Sequence, residues 1–364
     1  MIGTIYNYYA GGNTARGFYN LFESNLNSLN RIYILKGGPG TGKSTLMKNI
    51  GQYWVHKGFD IELIHCASDL QSIDGVIIPQ LKAGIVDGTA PHVIEPKAPG
   101  AIEEYVNLGE AWDSKKLVQH KNEILEIKEK IGDLYKLAYE TFAKALKIHD
   151  DWEKIYIENM DFEKANELTR TLIEKFFKNH AAEKSSIVKH RFLGAATPKG
   201  PVDFIENLTE NVKSRYFIKG RPGSGKSTML KKIAHAAIEK GFDVEIYHCG
   251  FDPKSLDMVI VRELDFAIFD STPPHEYFPN RKHDEIIDMY KECITPGTDE
   301  KYKEKLEEIS TKYADTMKKG TAYLAQAKTF HNQLENIYVQ AMDFSKVTKL
   351  EENILSQLEE MKSY

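Results

Sequence analysis

Two eight-residue segments of the chain combine glycine, lysine and serine at a spacing that can bind a phosphate group. Residues 37–44 read GGPGTGKS and residues 220–227 read GRPGSGKS, and both fit the pattern G-x-x-x-x-G-K-[ST] without a mismatch. Glycines let successive backbone N–H groups curl around phosphate oxygens, and a helix that begins at the segment adds its dipole. Nucleotide binding is therefore the first function that the sequence predicts.

Each residue of these two glycine-rich loops has an expected role. Lys43 and Lys226 are predicted to reach the β- and γ-phosphates and to act in catalysis, and Ser44 and Ser227 are predicted to bind Mg²⁺. The residues predicted to contact the nucleotide are Gly38, Pro39, Gly40, Thr41, Gly42, Lys43, Ser44 and Thr45 in the first loop, and Arg221, Pro222, Gly223, Ser224, Gly225, Lys226, Ser227 and Thr228 in the second. Because an arginine replaces a glycine in the second loop, we expect the two sites to be unequal.

A second metal ligand is expected at the end of a strand in each half. The runs IVD (85–87) and IFD (268–270) are apolar and end in aspartate. A carboxylate at the carboxyl end of a buried strand can enter the Mg²⁺ shell beside the glycine-rich loop. Asp87 and Asp270 are therefore metal-ligand candidates, with a turn-forming aspartate as the alternative. Neither is followed by glutamate, which leaves the catalytic base open.

Two pairs of repeated residues are candidates for proton transfer. Asp69 and Asp252 follow the second strand of their half and could act as general bases facing the terminal phosphate, with local capping as the alternative. His92 and His275 end the related segments DGTAPH and DSTPPH. They could sense the terminal phosphate or hold the attacking group, and a turn fixed by proline is the alternative.

The dipeptide His-Cys ends the second predicted strand of both halves, at 65–66 and 248–249. One such pair supplies only two of the four ligands that a zinc site needs. A buried cysteine beside a histidine that lines the substrate side is therefore favoured over a zinc shared between the halves. Cys293 makes the cysteine count odd, and no CxxC pair occurs, so a disulfide framework is not expected.

An internal repeat positions all of these residues. The loops are offset by 220 − 37 = 183, and 16 of the 30 positions from Gly37 to Cys66 are identical to those from Gly220 to Cys249, without a gap. Each half reads as a strand, the loop, a helix and two further strands, and the helices are predicted at 44–57 and 227–240. This order predicts an α/β fold with two tandem cores, each a parallel sheet flanked by helices.

A long polar helical stretch with heptad spacing follows each core. The stretches turn near residues 160–162 and 342–344, so a helical hairpin is predicted in each half, with Asp161 as an N-cap. The predicted domains are 1–185 (core about 1–110, hairpin about 111–185) and 186–364 (core about 186–295, hairpin about 296–364). Segments 7–17 and 190–200 could supply a strand to either half, which leaves an exchange of strands between the halves open.

Composition excludes some classes of function. The net charge of −5 disfavours a protein that mainly grips nucleic-acid backbone, and 41% hydrophobic residues with 28% charged residues are ordinary for a soluble globular protein. No signal-peptide pattern and no run of 18 apolar residues occur. We therefore expect no membrane span and a cytoplasmic location.

These residues resemble the P-loop NTPase superfamily over about 60 residues in each half. The whole arrangement also resembles a bacterial tandem-P-loop ATPase family of unknown function, through the repeated KG-x-PG-[ST]-GKST, the His-Cys pair and D-[GS]-T-x-PH. The resemblance implies binding of ATP with Mg²⁺, and ATP hydrolysis or phosphoryl transfer, but no particular substrate.

Three functions follow as hypotheses. The leading one is a Mg²⁺-dependent ATPase with two nucleotide sites, in which hydrolysis moves the helical hairpins against an unidentified protein partner. The second is a small-molecule or nucleoside-type kinase, favoured by the aspartate after the second strand and by Gly88 or Ser271 after the third. The third is an ATP-gated scaffold without significant turnover. The absence of an N-K-x-D stretch favours adenine, and a homodimer is left open.

Overall fold

In the computed structural model, which describes residues 2–362, each half of the chain contains eight strands. Those of the first half are β1 (Ile5–Tyr8), β2 (Gly11–Thr14), β3 (Gly17–Asn20), β4 (Arg31–Lys36), β5 (Ile61–Cys66), β6 (Asp69–Ile78), β7 (Ala83–Asp87) and β8 (Glu103–Asn107). Those of the second half are β9 (Val188–Phe192), β10 (Gly194–Thr197), β11 (Gly200–Asp203), β12 (Ser214–Lys219), β13 (Val244–His248), β14 (Leu256–Val261), β15 (Phe266–Asp270) and β16 (Asp284–Asp288).

The helices also follow the repeat. In chain order they are α1 (Phe22–Leu26), α2 (Lys43–His56), α3 (Ser114–Gln119), α4 (Lys121–Ile157), α5 (Phe162–Phe177), α6 (Ile205–Leu208), α7 (Lys226–Glu239), α8 (Met289–Cys293), α9 (Thr298–Lys301), α10 (Lys303–Val339) and α11 (Phe344–Lys362). The predicted ends of α2 and α7 are confirmed, because Gly58 and Gly241 follow them with positive φ angles of 87° and 82°. The predicted N-cap is also confirmed, since the Asp161 side chain accepts a hydrogen bond from Lys164 N.

Two six-stranded sheets have the same topology. The strand order is β1-β5-β6-β7-β4-β8 in the first sheet and β9-β13-β14-β15-β12-β16 in the second. In both, the strand before the glycine-rich loop lies between the strand that ends at Asp87 or Asp270 and the last strand of the sheet, and is parallel to both. The loop and the strand-end aspartate therefore lie side by side at the carboxyl ends of two neighbouring parallel strands, where a metal ligand is expected.

The sheets are mixed, so the prediction of parallel sheets is wrong for one strand of each. β6 and β14 run antiparallel to both of their neighbours. Only Ala67 and Ser68 separate β5 from β6, and a connection of two residues can join only antiparallel strands. The segment 69–78, which lies between the second and third predicted strands, is thus a ten-residue strand.

Each first strand stays in its own half. β1 pairs in parallel with β5, and β9 pairs in parallel with β13, so strands are not exchanged. The halves meet at Tyr9 and Phe192, which exchange two main-chain hydrogen bonds of 3.0 and 2.8 Å. These two residues are repeat equivalents, because 192 − 9 = 183. Contact between equivalent residues indicates an approximate two-fold axis that relates the halves.

The helices after each core are exchanged, and this corrects the predicted hairpins. α4 and α10 pack antiparallel along each other rather than along the shorter helix that follows each of them. α5 then packs on α7 of the second half, where Leu172, Phe176 and Phe177 enter the core. α11 packs on α2 of the first half through Ile354 and Leu358. The heptad spacing thus predicted that each long helix has an apolar surface for pairing with another helix. The partner is the other long helix and not the shorter helix that follows.

Main-chain hydrogen bonds fix the turn after each long helix to the opposite half. Asp343 N donates to Ala111 O, and Asp113 N donates to Ala341 O, both at 2.7 Å. The equivalent turn of the first half is held in the same way, because Asp161 N donates to Cys293 O at 2.8 Å. Each long helix therefore ends at a defined position on the other half.

Gly320 of α10 leaves room for the Phe142 ring of α4 where the two long helices pack together, and this contact leads to a prediction about stability. A Cβ on Gly320 would lie 2.4 Å from the fully buried Phe142 ring, whereas Gly132 on the exposed side of α4 has nothing within 4 Å. Gly132→Ala is expected to stabilise the protein by about 1 kcal/mol through helix propensity. Gly320→Ala gains the same propensity but is expected to destabilise the protein by ~1 kcal/mol net, because overpacking outweighs it. Urea unfolding of both variants tests this, and stabilisation by Gly320→Ala would contradict the packing.

A buried core joins the two sheets, with α1 and α6 in the same cluster. Arg191 is 1% exposed there, and its Nη2 lies 2.6 Å from Glu62 Oε2 of the other half. Glu62 also accepts a hydrogen bond from Tyr8 at 2.9 Å, and Lys189 lies 3.1 Å from its other oxygen. Burial would raise the pKa of Glu62, but Arg191 outweighs it and holds the pKa at about 2.

None of the helices within residues 2–362 has the apolar length that crossing a membrane requires. The two 37-residue helices carry charged residues throughout.

Candidate functional site

The two glycine-rich loops adopt the same conformation. Gly40 and Gly42 have φ angles of +67° and +90°, and their equivalents Gly223 and Gly225 have +75° and +86°. These left-handed conformations favour glycine, so the spacing of the motif is what the backbone needs. α2 and α7 begin directly at the loop lysines, so their free N–H groups face the loops.

The loop lysines lie beside the strand-end aspartates. Lys43 Nζ donates hydrogen bonds to Gly37 O at 3.1 Å and Gly38 O at 2.8 Å, and lies 3.6 Å from Asp87 Oδ2. Lys226 Nζ likewise lies 3.5 Å from Asp270 Oδ2. The lysine side chains are 10% and 11% exposed, so these charges are largely shielded from solvent. The structure thus brings each loop lysine to the strand-end aspartate of its own half.

The two predicted metal ligands of each half, the loop serine and the strand-end aspartate, lie close to the loop lysine and form hydrogen bonds with neighbouring residues. Thr89 donates through its backbone N–H and its hydroxyl to Asp87 Oδ1, and Thr272 does the same for Asp270. The other carboxylate oxygen stays turned toward the lysine. Ser44 Oγ accepts a hydrogen bond from Ile73 N at 3.0 Å, which ties the first residue after the loop lysine to β6.

A second aspartate that follows the second strand in each half is buried beside the strand-end aspartate. Asp74 and Asp257 are 5% and 8% exposed, and burial raises the pKa of each to about 6. Asp87 and Lys43 both act electrostatically on Asp74. Two features of the sequence mark these aspartates. Asp74 and Asp257 share the repeat offset of 183, and each places a charge in an apolar run.

Asp69 and Asp252 lie farther out and are paired with cations from the other half. Lys328 on α10 lies 2.9 Å from Asp69 Oδ2, and Arg16 lies 2.7 Å from Asp252 Oδ1. Burial would raise the pKa of both carboxyl groups, but these cations outweigh it and lower the pKa. Their role as general bases stays a prediction, and the ion pairs weaken both as bases.

The two repeated histidines have different partners. His92 is buried, with Nε2 3.2 Å from Asp74 Oδ2. His275 Nδ1 instead lies 2.7 Å from Asp203 Oδ2. Burial would lower the pKa of His275, but Asp203 outweighs it and raises the pKa. The first half has Asn20 at the position equivalent to Asp203 (203 − 183 = 20), so this partner exists only once.

The His-Cys pairs do not form a metal cluster. His65 Nε2 lies 2.8 Å from Asn7 Oδ1, and His248 Nε2 lies 2.9 Å from His190 Nδ1. Burial raises the pKa of the Cys66 thiol well above its ordinary value, and the thiol hydrogen-bonds Asp74. Within residues 2–362, the residues that come together with metal-ligand spacing are His149, Asp150 and Glu153, so the shared-zinc alternative has no support.

Each glycine-rich loop is covered by the long helix of the other half. A Cβ on Gly40 would lie 2.8 Å from Glu335 O on α10, and a Cβ on Gly38 would lie 2.7 Å from Tyr338. In the second loop, a Cβ on Gly223 would lie 2.4 Å from Glu153 O on α4. Glycine is therefore needed at these positions for close contact with a helix as well as for backbone conformation.

Arg221 does not point into its loop. Its guanidinium lies 2.8 Å from Asp299 and stacks 5.1 Å from the centre of the Tyr290 ring. Three other arginines could in principle supply a positive charge to a bound phosphate, but each already has a partner elsewhere. Arg191 pairs with Glu62, Arg262 pairs with Glu245, and Arg281 donates to the backbone carbonyls of Thr209 and Glu210.

The residues at each loop fit a nucleotide phosphate and Mg²⁺. The ligand set is a hydroxyl and carboxylates, in the first half Ser44 and Asp87, and these are the hard oxygen ligands that Mg²⁺ prefers. The curled glycines and the start of α2 supply N–H donors, and Lys43 supplies the positive charge. Asp74 is a buried carboxyl group close to Asp87 and Lys43, and its pKa of about 6 lets it gain or lose a proton near neutral pH.

Comparison with protein-family models, with curated proteins and with solved structures found no match in any of the three.

Proposed function

We propose that this chain binds ATP with Mg²⁺ at its two glycine-rich loops and hydrolyses ATP there. One observation carries the proposal. In both halves, a lysine that follows left-handed glycines lies 3.5–3.6 Å from a strand-end aspartate, beside a serine at the start of a helix. This combination binds and neutralises a polyphosphate in P-loop nucleotide sites.

The residues of each half divide the work. The loop N–H groups and Lys43 would hold the β- and γ-phosphates, and Ser44 with Asp87 would hold Mg²⁺. Bound Mg²⁺ would neutralise charge that develops on the phosphates. Thr89 keeps the Asp87 carboxylate oriented through two hydrogen bonds. Lys226, Ser227, Asp270 and Thr272 perform the same tasks in the second half.

The proton of the attacking water requires an acceptor, and Asp74 is better placed for that task than Asp69. Its pKa of about 6 is close to the range in which a general base is effective. It also faces Asp87 and Lys43, whereas Asp69 is held by Lys328. His92 Nε2 lies 3.2 Å from the Asp74 carboxylate, and Asp257 is the corresponding group of the second half.

The test of the proposal is phosphate release from ATP·Mg²⁺ by the wild type, Lys43→Ala, Lys226→Ala and the double variant. Losing the charged hydrogen bonds of one lysine is expected to weaken its own site by about 10- to 100-fold. Each single variant should therefore retain the turnover of the other site, and the double variant should retain almost none. Release that is unchanged in the double variant would exclude hydrolysis at these loops.

Two other outcomes would indicate the alternative functions. A parallel reaction contains small molecules extracted from a lysate. Conversion of ATP to ADP only in that reaction, without matching free phosphate, would indicate a kinase. ATP that binds but stays intact in both reactions would indicate an ATP-gated scaffold.

The pH dependence of turnover distinguishes the two candidate bases. With Asp74 and Asp257 as bases, kcat/KM, which reports the groups of the free protein, is expected to fall below about pH 6, because their carboxylates take up protons there. With Asp69 and Asp252 as bases, kcat/KM should stay level, because ion pairs lower the pKa of both groups below the ordinary value. Steady-state rates from pH 4.5 to 8 would separate the two profiles.

A further inference from the structure

The long helices carry a repeated feature that the proposed function does not use. α4 contains His149 and Glu153, and α10 contains His331 and Glu335 at the equivalent positions, since 331 − 149 and 335 − 153 both equal 182. Because the helices are exchanged, the glutamate of each half lies on the glycine-rich loop of the other half. The main chain of an acidic residue is thereby placed against each loop, where the proposed function requires an anionic ligand.

The contact is closest at the second loop. The main chain of Glu153 lies against Gly223, so closely that a Cβ there would be 2.4 Å from the Glu153 carbonyl oxygen. The Glu153 carboxylate accepts a hydrogen bond from Gly223 N–H and lies in the field of Lys226. These are the groups that hold phosphate in a glycine-rich loop. The carboxylate therefore uses the same donors that a phosphate would use.

Both glutamates lie 3.7 Å from the histidine one turn earlier on their own helix, Glu153 from His149 and Glu335 from His331. The first loop differs because Glu335 also lies 3.6 Å from Lys328. The position equivalent to Lys328 in α4 is Leu146 (328 − 182 = 146), so Glu153 has no such lysine beside it. His331 and Lys328 lower the pKa of Glu335, which keeps it charged but paired.

Burial raises the pKa of Glu153, and two neighbouring carboxylates, Asp150 and Asp252, add to this effect. Lys226 and the Gly223 amide act in the opposite direction.

We propose that Glu153 is a gate of the second nucleotide site: its carboxylate competes with phosphate for the loop, although it belongs to the first half of the chain. This inference rests on the proposed function. Nucleotide binding requires only the glutamate side chain to withdraw, because main-chain hydrogen bonds fix the turn that follows α4. The first site, whose glutamate is also paired with Lys328, is open to nucleotide at lower concentration.

The test measures ATP·Mg²⁺ binding by equilibrium dialysis with only the second site intact. In a Lys43→Ala background, Glu153→Gln is expected to tighten binding about tenfold, because a neutral amide competes less well than a carboxylate for the loop N–H and the lysine. In a Lys226→Ala background, Glu335→Gln is expected to tighten binding at the first site by less than threefold or so, because Lys328 and His331 already hold Glu335. A gain in affinity cannot come from damage to the fold.

The matched control is Glu158→Gln in the Lys43→Ala background. Glu158 directly follows α4 and forms an exposed pair with Lys154, so its charge should not affect binding. Unchanged or weaker binding by Glu153→Gln, in a protein whose wild type binds ATP, would overturn the gate. A wild type that binds no ATP would instead remove the proposed function on which the gate depends.

Discussion

Replacing both Asp74 and Asp257 with asparagine is expected to lower kcat for ATP hydrolysis by roughly 10²- to 10⁴-fold, the usual contribution of a general base. Each aspartate is buried, has a pKa of about 6 and faces the strand-end aspartate and loop lysine of its half. Asparagine keeps the shape of the side chain but cannot accept the proton of water. Because phosphate is held by the loop and not by these groups, the affinity for ATP should change little.

The matched control replaces Asp69 and Asp252 with asparagine. These carboxylates are paired with Lys328 and Arg16, and we expect their loss to lower kcat by less than about tenfold, the size of a partly exposed ion pair. If the control variant were inactive and the Asp74/Asp257 variant active, the general bases would instead be Asp69 and Asp252, as first predicted from the sequence.

Arg191→Met is expected to destabilise the protein by about 3–5 kcal/mol, because it removes the buried cation beside Glu62 and leaves only the partly exposed Lys189 to compensate that carboxylate. Arg191 joins the two halves through Glu62 at 2.6 Å, and its guanidinium also stacks 3.9 Å from the centre of the Tyr8 ring. Methionine keeps the apolar stem but removes the charge. Urea unfolding at pH 7 would measure the change in free energy.

Two further variants show whether charge causes the loss. Adding Glu62→Gln to Arg191→Met removes the buried carboxylate that has lost its main cation and should recover part of the stability. Arg170→Met breaks an exposed pair with Glu167 and should cost no more than about 0.5 kcal/mol. If Arg191→Met cost no more than Arg170→Met, the buried pair would not hold the halves together.

Stability at low pH follows from the same pair. The pKa of Glu62 is about 2 in the folded protein, below its ordinary value, so the stabilisation is complete above the ordinary pKa of about 4.3 and is lost as the pH falls toward 2.

The residues at the centre of the site could be predicted because their geometry is local. Left-handed glycines at 40 and 42, a helix that begins at Lys43 and a strand that ends at Asp87 all depend on neighbouring residues in the chain. The repeat then supplied the second copy. Helix ends at Gly58 and Gly241 followed from the same local rules.

The other features depend on contacts between distant residues. Heptad spacing shows that α4 has an apolar stripe, but the stripe fits a following helix as well as it fits α10. The exchange of helices, the pairing of Asp69 with Lys328 and the contact of Glu153 with Gly223 all depend on that choice. β6 was missed because its apolar run holds two aspartates and begins directly after a tight turn.

The most direct test of the central claim is the number of ATP·Mg²⁺ molecules that the wild-type chain binds, measured by isothermal titration calorimetry. The two loops share one geometry, so the account predicts two sites per chain, one of which is lost in Lys43→Ala and the other in Lys226→Ala. A wild-type chain that binds no ATP·Mg²⁺, or variants that keep both sites, would contradict it.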